Sequence, residues 1–164
     1  MGLFSKNKPE KERGQTVAES KLEKFIARKF SGDLTELPPA YEGDSYSWAT
    51  VHESTMVLAE ISVEFGNENH PVVRVYSYCV NGARDDDKLF RYLMTDCTTS
   101  IFSQFKIEEG AENGTVDVLV QRYLALDTLD DDEFETAFLE VATTSNDNDD
   151  EIVKRFGGST SWEE

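Results

Sequence analysis

Two hydrophobic rhythms follow one another along this chain, and their order limits the folds open to it. A helical spacing over residues 16–30 gives way to three alternating, strand-like runs between 46 and 80. A helical run follows at 86–97, then alternating runs at 101–108 and 115–125, then helical stretches at 131–144 and 148–156. The order α-β-β-β-α-β-β-α-α has few long crossovers. It predicts an α+β domain in which one five-stranded, mostly antiparallel sheet carries helices packed on it.

Boundary signals sharpen each run. Thr16 and Glu19 have capping-box spacing, and Ala18, Leu22, Phe25 and Ile26 then share a helical face before Ser31-Gly32-Asp33 stops it. The stretch 34–45, with Pro38-Pro39 and Gly43-Asp44, reads as an irregular connection, and the first strand as Tyr46–His52. In the second strand, 56–65, Val57, Ala59, Ile61, Val63 and Phe65 oppose Met56, Leu58, Glu60, Ser62 and Glu64. In the third, 72–80, Val73, Val75, Ser77 and Cys79 oppose Arg74, Tyr76, Tyr78 and Val80, with Asn81-Gly82-Ala83 expected to end it.

Asp85, Asp86 and Asp87 open the next helix, where carboxylates suit the helix dipole, and its stripe reads Leu89, Phe90, Leu93, Met94 and Cys97. The fourth strand sets Ile101, Ser103, Phe105 and Ile107 against Phe102, Gln104, Lys106 and Glu108. The fifth sets Val116, Val118, Val120, Arg122 and Leu124 against Asp117, Leu119, Gln121 and Tyr123. Asp130 and Glu133 again have cap spacing, ahead of Phe134, Ala137, Phe138, Val141 and Ala142. A short helix with Ile152, Val153 and Phe156 ends at Gly157-Gly158. The reading is one domain over 16–158, between a flexible basic tail at 1–15 and a C-terminal tail at 159–164.

Charge narrows the partners. Residues 1–30 hold 8 Lys/Arg and 4 Asp/Glu, whereas residues 31–164 hold 8 Lys/Arg and 29 Asp/Glu. A body this acidic repels nucleic-acid phosphates and favours basic or neutral polypeptides. With no transmembrane run and no signal-peptide pattern, a cytoplasmic protein without membrane contact is expected. Cys79 and Cys97 read as small buried hydrophobes rather than a bridge.

No catalytic constellation emerges. His52 and His70 have no Cys or carboxylate at metal-ligand spacing and no nucleophile elbow beside them. Residues 127–151 carry 11 Asp/Glu and no Lys or Arg, yet an EF-hand loop started at Asn146 puts Glu151 where Gly is needed and Gly157 where Glu is needed. These charges read as solvated helix N-termini. No enzyme activity, cofactor or metal is expected.

The second face of the sheet is less bland. If Val57, Ile61, Val75, Val118 and Phe105 meet the helices, the other face presents Met56, Leu58, Tyr76, Tyr78, Phe102, Leu119 and Tyr123 among polar Arg74, Gln104, Lys106, Asp117 and Gln121. Tyr and Met among polar groups suit a polypeptide contact surface. Met56, Leu58, Tyr76, Tyr78, Leu119 and Tyr123 are the candidate partner-binding residues. Serine at both Tyr76 and Tyr78 is expected to leave the fold intact.

The acidic-capped run Leu129-Asp130-Asp131-Asp132-Glu133-Phe134, the ending Phe156-Gly157-Gly158 and the strand Val118-Leu119-Val120-Gln121-Arg122-Tyr123, in this order of elements, resemble the YbjN family over residues 16–158. Members look like type III secretion chaperones in fold. The resemblance implies a small, soluble bacterial protein, often dimeric, that acts as a peptide- or protein-binding chaperone or regulator without established catalytic residues. The expected function is therefore a non-catalytic module that holds a polypeptide on its open sheet face or edge. The alternative is a regulatory scaffold whose sheet face is buried in an obligate homodimer.

Overall fold

A computed structural model describes residues 35–37, 47–52, 55–67, 70–97 and 101–160. The expected helix at 16–30, the basic tail and residues 161–164 lie outside the described residues. The strands are β1 (Thr35–Leu37), β2 (Ser47–His52), β3 (Thr55–Asn67), β4 (His70–Arg84), β5 (Gln104–Glu109), β6 (Thr115–Ala125) and β7 (Ser159–Thr160). The helices are α1 (Asp87–Thr95), α2 (Asp131–Asn146) and α3 (Asp149–Phe156). The sheet runs β1-β2-β3-β4-β6-β5, with β7 on β4, and every pairing is antiparallel. The α+β class and the five expected strands are all present.

Two short strands correct the sequence reading. β1 forms inside the stretch read as irregular, and β7 forms inside the stretch read as a tail. β7 has a place because β4 outruns β3. Leu58 of β3 faces Tyr76, so the later part of β4 leaves its β3-side edge unpaired, and Ser159 and Thr160 take it opposite Asn81 and Val80. β4 also passes the Asn81-Gly82-Ala83 signal that was expected to end it. Its ladder with β6 shifts register there, Gly82 takes a left-handed φ of 70°, and the Gly82 N–H donates to Asp117 Oδ1 at 2.8 Å. A glycine within a strand is thus a bulge rather than a stop.

The alternation in β4 and β6 decides which way each side chain points. Val73, Val75, Cys79, Val118 and Val120 are buried with Val57 and Ala59 against Phe134, Ala137, Phe138, Val141 and Ile152. For Ile61, Val63 and Phe65 the backbone alone is described, and the same holds for His52 and His70. Burying Phe134 and Phe138 contributes about 1.5–3 kcal/mol each by area. The Asp130 carboxylate accepts from Glu133 N at 2.7 Å, so the predicted cap starts α2. Ser77 and Ser145 hydroxyls bond at 3.2 Å, and the Cys79 thiol donates to the Ser145 carbonyl at 3.4 Å, fixing the end of α2 on β4.

Around α1 the expected stripe shifts. Leu89, Tyr92 and Leu93 are buried, while Phe90 and Met94 are exposed. Tyr92 displaces them because its ring packs on Phe156 at 5.7 Å and lies under the Arg155 guanidinium at 4.6 Å. Arg84, at the end of β4, donates to the carbonyls of Arg155 and Phe156 at 2.8 and 3.2 Å and so caps the C-terminus of α3. Asp149 departs from the solvated-charge reading. It is buried at the start of α3, accepts from Asp150 N at 2.7 Å, and burial pushes its carboxyl upward. No helix among the described residues is long and apolar enough to cross a membrane.

Candidate functional site

Cross-strand register assembles the second face. Leu58 faces Tyr76 and Glu60 faces Arg74 between β3 and β4. Arg74, Tyr76 and Tyr78 face Tyr123, Gln121 and Leu119 across β4 and β6, and Gln104 and Lys106 of β5 face Gln121 and Leu119. Met56, two residues before Leu58, belongs to the same row. All six candidate residues therefore share one face, opposite the one that meets α2.

Arg74 is the hub of this face, and sequence reasoning recorded it only as an interleaved polar residue. Its guanidinium lies over the Tyr76 ring at 4.2 Å from the centroid. It donates through Nε to Gln121 Oε1 at 3.0 Å, through Nη1 to Glu60 Oε1 at 3.2 Å and through Nη2 to Glu108 Oε1 at 3.4 Å. Glu60 is its direct cross-strand neighbour. Glu108 sits two strands away, and the contact closes because Arg74 stretches along β4 over Tyr76 while Glu108 bonds Lys106 Nζ at 2.6 Å. The Tyr76 hydroxyl donates to Glu60 Oε2 and the Tyr123 hydroxyl to Gln121 Oε1, each at 3.4 Å. Sequence alternation places Arg74 and Glu60 on one face, but their pairing rests on the β3–β4 register, which shifts between Ser62 and Asn67.

Electrostatics follow from the crowding. Burial and then the Glu60 charge push the Tyr76 phenol well above its usual range, and burial with Glu108 raises Tyr78. For Arg74, burial opposes the charge, yet Glu60 outweighs it and the guanidinium is held more firmly protonated than usual. For Glu108, burial raises the carboxyl but Lys106 and Arg74 together pull it below the usual range. At neutral pH Tyr76 and Tyr78 are therefore neutral phenols, and Arg74 and Glu108 are charged.

The six residues are not equally open. Leu119 is 0% exposed and Tyr76 8%, whereas Met56, Leu58, Tyr78 and Tyr123 are half-buried. Two of the six are therefore part of the framework, and the expectation that serine at both Tyr76 and Tyr78 spares the fold is corrected. Tyr76 carries the Arg74 guanidinium on its ring, so its loss undoes the hub. Tyr78 meets Tyr76 edge-on, with centroids 6.0 Å apart, and presents its remaining surface outward.

Phe102 also changes sides. It precedes β5 rather than lying within it, and its ring lies 4.9 Å from the Arg122 guanidinium, which pairs with Glu140 of α2. Phe102 is therefore on the helix side of the sheet. A single residue outside the ladder is enough to lose the strand parity.

Among the described residues no three His, Cys, Asp or Glu side chains are grouped to hold a metal ion. Cys79 is buried, with its thiol pushed up to about 12 by burial, and Cys97 is partly buried, with its thiol pushed up to about 11 by the same cause. Such thiols are weak nucleophiles at neutral pH. The arrangement is suited to contact: amphipathic rings around a pre-organised ionic network. No protein-family model and no curated protein matches this sequence.

Proposed function

We propose that this chain is a non-catalytic, YbjN-like protein of the cytoplasm that binds a polypeptide, acting as a chaperone or regulator. The observation that carries the reading is the second sheet face. Half-exposed Met56, Leu58, Tyr78 and Tyr123 surround the Arg74 hub, and the hub ties Tyr76 and Gln121 to Glu60 and Glu108 across four strands. Tyrosines held this way offer apolar area and a hydrogen-bonding tip at low entropic cost. The acidic body steers basic or neutral chains toward that surface, an effect that falls with salt.

The test replaces Tyr78 and Tyr123 by Ser, leaving Tyr76 and Arg74 intact. Binding is read against a reduced, unfolded basic protein by suppression of its aggregation, with circular dichroism to check the fold. The wild type is expected to suppress aggregation and the double variant to lose most of that effect while staying folded. Equal suppression by both proteins rejects this face as the contact surface. An obligate homodimer by sedimentation that becomes monomeric in the double variant favours the scaffold reading instead.

A further inference from the structure

Gln121 sits at the centre of the second face, and only half of its amide is engaged. It lies on β6 between Tyr76 of β4 and Gln104 of β5, and it is 4% exposed. Its Oε1 accepts from Arg74 Nε at 3.0 Å and from the Tyr123 hydroxyl at 3.4 Å. A guanidinium can only donate, so the atom facing it is the carbonyl oxygen, and this fixes the orientation of the amide. Nε2 is thereby held in place with two N–H donors and no hydrogen-bond partner among the described residues.

Buried polar groups ordinarily find partners. Among the described residues, the Thr55 hydroxyl is the sole side-chain polar atom both fully enclosed and unpaired, so Gln121 Nε2 still reaches the surface. Two neighbouring groups are open in the same way. Gln104, its direct cross-strand partner, is exposed with an unpaired amide. Tyr78, its diagonal neighbour on β4, is half-buried, and its hydroxyl has no hydrogen-bond partner among the described residues. The cations of the face, by contrast, are committed: Arg74 pairs with Glu60 and Glu108, and Lys106 pairs with Glu108. A carboxylate would find no free cation on the described part of this face and would approach a molecule of charge −17. A neutral acceptor meets the donors without that repulsion.

We propose that Gln121 is the residue that reads the partner, and that the group it reads is a main-chain amide carbonyl of an extended polypeptide. This rests on the polypeptide-binding reading above and adds the contact that makes binding independent of the partner's sequence. An extended segment offers such a carbonyl on one side at every second residue, whatever its side chains. Arg74 and Tyr123 are positioning residues, because they fix Oε1 and so present Nε2. Gln104 and Tyr78 supply adjacent donors.

The experiment uses the full chain, labelled for NMR so that side-chain amide signals are read, and three synthetic probes: a short neutral peptide of alternating Val and Ser, the same peptide with one central Gln, and the same peptide with one central Glu. The Val-Ser peptide is expected to shift the side-chain amide signals of Gln121. Gln121→Glu keeps an acceptor for Arg74 and Tyr123 and removes both donors. It should stay folded by circular dichroism and bind the Val-Ser peptide at least about tenfold more weakly. If that variant fails to fold, the presence or absence of the wild-type Gln121 shift decides. Binding without a shift at Gln121, or equal binding by the folded variant, would overturn the assignment while the Tyr78/Tyr123 variant still judges the face. Binding of the Gln peptide alone would overturn the main-chain ligand in favour of a side-chain amide. Preference for the Glu peptide would overturn the neutral acceptor. No binding of any probe would remove the proposal, and suppression of aggregation would still report on polypeptide binding independently.

Discussion

Arg74→Met is the most searching perturbation of this fold. Methionine keeps most of the reach over Tyr76 and removes the charge and every donor. Arg74 is 13% exposed, and its partners Glu60 and Glu108 are 25% and 31% exposed, so water replaces only part of what is lost. Removing one member of a mostly buried ionic group costs about 3–5 kcal/mol, and partial exposure of the two carboxylates lowers the expectation here to about 2–4 kcal/mol. Charge adds a pH signature. Glu108 is held below its usual range, with Lys106 and Arg74 outweighing the effect of burial. Its contribution is therefore present above the ordinary carboxylate pKa and lost as pH falls through the lowered folded value. The gap between wild type and variant should be largest above about pH 5 and shrink below it. Urea melts at neutral and acidic pH read both quantities. A loss under about 1 kcal/mol at neutral pH, or a loss that ignores pH, would mean that the network does not form as described.

Phe138→Ala, mid-stripe on α2 and 3% exposed, should destabilise by about 3–5 kcal/mol in denaturant melts, and under 1 kcal/mol would contradict the packing of α2 on the sheet. Gly158→Ala should release β7, because φ is 90° and a Cβ would fall 2.5 Å from the Asn81 carbonyl oxygen. The expected sign is faster hydrogen exchange around Val80 and Asn81 with a loss of about 1–3 kcal/mol, and unchanged exchange would refute the strain argument. At pH 8, iodoacetamide should label Cys97 slowly and Cys79 only on unfolding, since both thiols are raised by burial. Rapid labelling of Cys79 in the folded protein would show that the face of β4 under α2 is open.

Periodicity carried most of the architecture. As far as Cys79 in β4, and in β6, a two-residue alternation names the buried face without knowledge of partners, so Val73, Val75, Val118 and Val120 were legible as core, and with them the six-residue face opposite; the register shift after Tyr78 then turns Val80, read with the opposite set, into the core. Asp130 was legible as a cap because capping is local, closing over three residues. What sequence could not supply depends on which elements meet. Gly82 reads as a stop until Asp117 across the ladder accepts its N–H, and Ser159–Thr160 reads as a tail until β4 outruns β3. Phe102 reads by parity onto the wrong face until Arg122 draws it to the helix side. Arg74 is the sharpest case. Its place on the same face as Glu60 follows from alternation, but its position opposite Glu60 depends on a register that shifts between Ser62 and Asn67, and its reach to Glu108 needs the order β4-β6-β5, in which β6 comes between two strands that precede it in the chain. Local rhythm determines which way a side chain points, and only the pairing of distant strands decides what it finds there.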